Sequence, residues 1–85
     1  MWRIERFELR GDYRIWVVFA DGANGEVDLE PDLWGEVGAP LRSPALFAQV
    51  ALDEAGTLAW PNGFDIAPDV LHAELVGGGE TRGAL

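Results

Sequence analysis

The chain has 85 residues and a formal net charge of -9, with 15 Asp and Glu against six Arg and no Lys. A chain of this length builds one core, and without cysteine neither a disulfide nor a thiolate metal site can support it. The acidic balance argues against nucleic acid or an anionic membrane as partner, since both are bound through basic patches, and it favours a basic protein.

Stability must come from rings. Four Trp, four Phe and one Tyr are available, and each buried ring removes ~150–250 Å² from water. The start, Met1-Trp2-Arg3-Ile4-Glu5, has no apolar run of the signal-peptide kind, and no stretch approaches ~20 apolar residues. A cytoplasmic setting is expected.

Trp2 to Leu9 reads as a first strand with a break in its alternation. Trp2 and Ile4 share one face and Phe7 and Leu9 the other parity, and a bulge near Glu5-Arg6 would bring both pairs to the same side. Arg10-Gly11-Asp12 reads as a turn. Tyr13 to Ala20 is the clearest strand, with Tyr13, Ile15, Val17 and Phe19 on one face and the half-apolar set Arg14, Trp16, Val18 and Ala20 on the other. Asp21-Gly22 signals a hairpin, and Ala23 to Leu29 returns with Val27 and Leu29 inward. The first thirty residues are therefore expected to form a three-stranded antiparallel meander.

Pro31 stops the third strand, and Asp32-Leu33-Trp34 suggests one helical turn capped by Asp32. Gly35 to Pro40 reads as a loop. Ser43-Pro44 opens a short helix to Gln49 with Leu46, Phe47 and Val50 as its apolar side, Ser capping and Pro filling the first turn. Val50-Ala51-Leu52, the turn Asp53 to Gly56, and Thr57 to Trp60 read as a second hairpin. Trp60-Pro61-Asn62-Gly63 is a sharp corner: proline ends a paired strand, and Asn-Gly tolerates positive φ. Phe64 and Ile66 lead back over Trp60, and Pro68 to Leu75 reads as a last helix with Val70, Leu71 and Leu75 inward. The predicted domain is 1–76, with Gly77-Gly78-Gly79 beginning a flexible tail over 77–85.

Candidate chemistry is thin. His72 and Asp69 could form a dyad, but no Cys is present and the aliphatic hydroxyls are only Ser43, Thr57 and Thr81, so a histidine at the surface or the edge of the core is expected. Asp28, Glu30 and Asp32 alternate, yet Leu33 stands where a calcium loop needs glycine, and a solvated strand edge explains them better. Asp65 and Asp69 are read as backbone-bonding and first-turn residues. The glycine run lacks the Lys-Ser/Thr of a phosphate loop. No catalytic, cofactor-binding or metal-ligating residue is therefore assigned. Trp60 is expected in the core, Trp2 as a staple on the first strand, and Trp16 or Trp34 in an exposed binding patch.

The combination of Phe19-Ala20-Asp21-Gly22, Val27-Asp28-Leu29, Leu46-Phe47, Trp60-Pro61-Asn62-Gly63-Phe64-Asp65-Ile66 and Asp69-Val70-Leu71 resembles the family catalogued as domain of unknown function 2442. The resemblance implies a small prokaryotic α+β protein. It also implies a gene often placed beside one for another small protein, in pairs similar to toxin–antitoxin cassettes.

The fold class expected is α+β: a three-stranded antiparallel meander plus a second short hairpin, with two short helices packed against the sheet. The function expected is that of a non-enzymatic interaction domain, antitoxin-like, facing a small basic protein. Interaction residues are Trp16, Trp34, Asn62 and Asp65; structural residues are Asp21, Gly22, Phe47, Trp60, Pro61 and Gly63. The alternative is a homo-oligomeric structural or ligand-binding domain with Trp16 and Trp34 between identical subunits.

Overall fold

A computed structural model describes residues 2–76; the glycine run and the rest of the expected tail lie outside the described residues. The architecture is α+β. Strands β1 (Ile4–Gly11), β2 (Arg14–Phe19) and β3 (Asn24–Asp28) form an antiparallel meander in the order β1-β2-β3. Two-residue strands β4 (Ala51–Leu52), β5 (Leu58–Ala59) and β6 (Asp65–Ile66) form a second antiparallel sheet. The second hairpin thus gains a third strand, because the Pro-Asn-Gly corner brings Ile66 opposite Leu58.

The expected bulge is present. Ile4 pairs with Phe19 but Arg6 with Val18, so Glu5 is the extra residue, and Ile4, Phe7 and Leu9 all oppose core-facing residues of β2. The turn that follows differs from expectation. The chain reverses at Asp12 and Tyr13, with φ of 51° and 66°, and not at Arg10-Gly11-Asp12. An aromatic residue rarely adopts this left-handed conformation. Tertiary contacts hold it: the Tyr13 hydroxyl donates to the Arg42 carbonyl, and its ring meets Phe47 edge-on with centroids 5.3 Å apart.

The other three hairpins share one construction. At Ala20–Gly22, Glu54–Gly56 and Pro61–Gly63 a tight turn ends in a glycine at positive φ (93°, 78° and 96°). In each, the side-chain oxygen of Asp21, Asp53 or Asn62 accepts the backbone N–H two residues on.

The middle of the chain is more helical than its glycines and prolines suggest. A 3-10 turn spans Glu30–Asp32, helix α1 covers Gly35–Gly38, and a further 3-10 turn covers Ala39–Arg42. Gly38 packs so closely on the preceding turn that a Cβ there would stand 3.0 Å from the Asp32 carbonyl oxygen. Arg42 Nε donates to the Leu33 carbonyl at 2.7 Å and closes the segment on itself. Helix α2 is a single turn, Pro44–Phe47; Ser43 sits at its cap position, but its hydroxyl makes no capping bond.

Helix α3 runs Pro68–Val76. Leu71 is its buried anchor, and Leu75, one turn on, packs over Gly25 of β3. Val70 faces outward at 47% exposure, contrary to expectation, since a residue adjacent to Leu71 points ~100° away around the helix. Leu46 is likewise exposed while Phe47 and Val50 are buried.

The core joins both halves of the chain. Ile15, Val17, Phe19, Val27 and Leu29 of the meander meet Leu33, Leu41, Phe47, Leu58, Trp60, Ile66 and Leu71. Trp60 donates its indole N–H to the Phe47 carbonyl at 2.9 Å, so its one polar atom is satisfied in the interior. Among the described residues, no helix is long and apolar enough to cross a membrane.

Candidate functional site

Trp34 is the least buried large apolar side chain among the described residues, at 73% exposure. Its position follows from its neighbours. Leu33 is fully buried and anchors the chain, Trp34 is extended (φ -142°, ψ 169°), and Gly35 turns the backbone into α1 with φ of 81°. The indole is thereby held out beside an open groove of about 570 Å³. Val37 forms part of the same wall; Phe64, Ile66 and Val70 line the other. Asp32, Glu36 and Asp65 add carboxylates to this apolar floor.

The corner strand ties the two walls together. Asn62 Nδ2 donates to the Val37 carbonyl at 2.9 Å, while its Oδ1 accepts from Phe64 N–H at 3.1 Å. Of the four expected interaction residues, Trp34 and Asp65 meet in the groove, and Asn62 braces it. Trp16 stands apart on the outer face of the meander. There it is half-buried beneath Arg6 and Arg10, whose guanidinium carbons lie 5.8 and 5.6 Å from its ring centroid. Of the residues assigned a structural role, Phe47 and Trp60 lie in the core and Asp21, Gly22, Pro61 and Gly63 in the turns. Val70 completes the groove and was missed because it reads as a core position of α3.

A second cluster surrounds the lone histidine. His72 is 5% exposed and its Nε2 lies 2.8 Å from Asp21 Oδ2. Trp2 stacks on the imidazole with centroids 3.6 Å apart and planes 5° from parallel, and Phe19 meets it edge-on at 4.9 Å. Asp69 does not join: it accepts the Trp2 backbone N–H at 3.4 Å. Asp21 thus serves twice, since Oδ1 accepts from Ala23 N–H and Oδ2 meets His72. The Ala23 N–H, and after it the His72 bond, hold the Asp21 carboxyl below its usual value of 3.8. Spacing gave no hint of this pair, which lies 51 residues apart in the chain.

The alternating acidic residues are otherwise engaged. Asp28 accepts the Glu30 backbone N–H at 3.0 Å, and Glu30 pairs with Arg42 at 3.6 Å. Among the described residues, no three His, Asp or Glu side chains converge as a metal site would require.

The residues that carry the turns and the joint between them form a distinctive set: the Asp-Gly hairpin on His72, the Leu-Phe turn under Trp60, and the Pro-Asn-Gly corner bracing α1. Residues 4–77 match the family described as Protein of unknown function (DUF2442). The chain belongs to that family. The match spans every described element. Comparison with curated proteins and with solved structures gives no match.

Proposed function

We propose that this chain is a protein-interaction domain without catalytic chemistry, and that the Trp34 groove docks a small basic protein encoded by a neighbouring gene. In this reading the protein works in the cytoplasm, in an antitoxin-like role. The supporting observation is Trp34 itself, held 73% exposed beside apolar Val37 and Val70, which are themselves about half exposed. Covering the free part of such a ring is worth about 3–4 kcal/mol at ~25 cal/mol/Å². Tryptophan at the centre of a patch is the usual anchor of an interface. The carboxylates of Glu36 and Asp65 and the net charge of -9 would steer and orient a cationic partner.

The test is co-expression with the adjacent gene product, followed by affinity measurement at several salt concentrations. A complex that weakens with salt, and at least about tenfold on Trp34→Ala, supports the reading. Separate elution of the two proteins at micromolar concentration in low salt refutes it.

A further inference from the structure

We propose that the open edge of β1 is a self-association site, through which two copies of this chain join their meanders into one continuous six-stranded sheet. Strand β1 has a single sheet partner, β2. Its beginning is covered by the second hairpin: Ile4 N–H donates to the Gly56 carbonyl at 2.9 Å, and Arg3 Nη1 donates to the Glu54 carbonyl at 3.2 Å. From Glu5 to Gly11 only Phe7 is withdrawn from solvent, and Leu9 is 40% exposed.

The backbone shows which groups face outward. Phe19 N–H donates to Ala23 and the Tyr13 carbonyl accepts from Leu29, so odd-numbered residues of β2 address β3. Ala20 N–H donates to the Arg3 carbonyl, so even-numbered residues address β1. Trp16 and Val18 are therefore the hydrogen-bonded partners of Glu8 and Arg6. Phe7 and Leu9 consequently turn their N–H and C=O groups away from β2, toward the free edge.

Charge then selects the register. Around a two-fold axis at Leu9, Leu9 pairs with Leu9 of the second copy through its outward groups. Glu8 then lies opposite Arg10, twice, in the non-hydrogen-bonded positions where side chains approach most closely. An axis at Glu8 would set Glu8 against Glu8 and Arg6 against Arg10. Axes at Arg6 and at Phe7 would bring Arg10 of the second copy opposite Trp2 or Ile4, against the Asp53–Gly56 turn that covers the start of the strand. Axes between residues would oppose the inner face of one strand to the outer face of the other. Charges on an edge normally discourage pairing; the alternation Arg6, Glu8, Arg10 leaves one mid-strand register that pairs opposite charges clear of that turn. On the inner side the half-buried Phe7 and the exposed Leu9 gain cover. A single strand pair buries less than the ~800 Å² per partner of a standard interface, so the affinity expected is micromolar.

This surface is separate from the groove, and from the pairing of Trp16 and Trp34 between subunits that the sequence suggests. The test is sedimentation equilibrium of the full chain from micromolar to millimolar concentration. The expected result is a monomer–dimer equilibrium that Glu8→Arg and Arg10→Glu each weaken about tenfold or more, and that the double swap restores. Leu9→Pro, which removes only an outward N–H, should give a monomer with unchanged circular dichroism. Trp34→Ala should leave the dimer intact, which separates this proposal from the groove reading. A monomer at every concentration, a dimer indifferent to both single reversals, or a swap that fails to restore pairing overturns the proposal.

Discussion

Replacing Gly56 by alanine tests how the two sheets are joined, with Gly63→Ala as the internal control. Both glycines close the same kind of turn at positive φ, 78° and 96°. An alanine there costs ~1–2 kcal/mol in backbone strain, partly offset by the lower entropy of the unfolded chain. At Gly63 that is the whole effect, since a Cβ would meet nothing within 4 Å. At Gly56 the same Cβ would stand 2.5 Å from Arg3 Cβ and 3.0 Å from Ile4 N. Neither atom is the end of a flexible side chain, so β1 or the turn must retreat. Overpacking of this kind costs ~1–3 kcal/mol, and loss of the Ile4–Gly56 hydrogen bond adds ~1 kcal/mol. The expected destabilisation is about 1 kcal/mol for Gly63→Ala and about 3–5 kcal/mol for Gly56→Ala. For a domain of this size the second value is a large part of the total. Urea unfolding followed by tryptophan fluorescence measures both. Equal losses for the two variants would refute the claim that the Asp53–Gly56 turn is a tight joint to β1.

Trp60→Phe should cost about 2–4 kcal/mol in the same assay, from the unpaired Phe47 carbonyl and the smaller ring. A loss below 1 kcal/mol, on the scale of a surface change, would show that the buried hydrogen bond matters little. Asn62→Ala should cost about 1–2 kcal/mol and weaken partner binding by loosening the groove, while Trp34→Ala should change stability by less than about 0.5 kcal/mol. Asp21 supplies the pH dependence: its carboxyl titrates below 3.8 in the folded protein, so its contribution is complete above that value and is lost as acid protonates it. The stability gap between the wild type and Asp21→Asn should therefore shrink as pH falls from 5 to 2, and a gap constant over that range would contradict the account.

The meander was legible because its signals are local: a period of two in β2, Asp-Gly after it, and a parity break that a bulge near Glu5-Arg6 reconciles. The corner at Pro61-Asn62-Gly63 was legible for the same reason. The turn at Asp12-Tyr13 was not, because Tyr13 is held in its conformation by Arg42 and Phe47, both distant in sequence. Gly35 to Pro40 reads as a loop because glycine and proline usually break helices. Here Gly38 serves close packing, and Pro40 occupies a first turn where it is tolerated. Of the site, Trp34 was visible as a tryptophan without an apolar period to belong to. Val70 was hidden because α3 is apolar on more than one side, and the Asp21–His72 contact is a product of tertiary folding.

The stacking of Trp2 on His72 places the first described residue one helical turn from the last. Because α3 rises ~1.5 Å per residue, only ~6 Å of helix separates His72 from Val76. Residues 2 and 76 therefore lie near each other, so a short linker joining them would ask little of the fold. New termini could then be opened at the Asp53–Gly56 turn, and a circular permutant of that design would show whether the N-terminal strand must be made first.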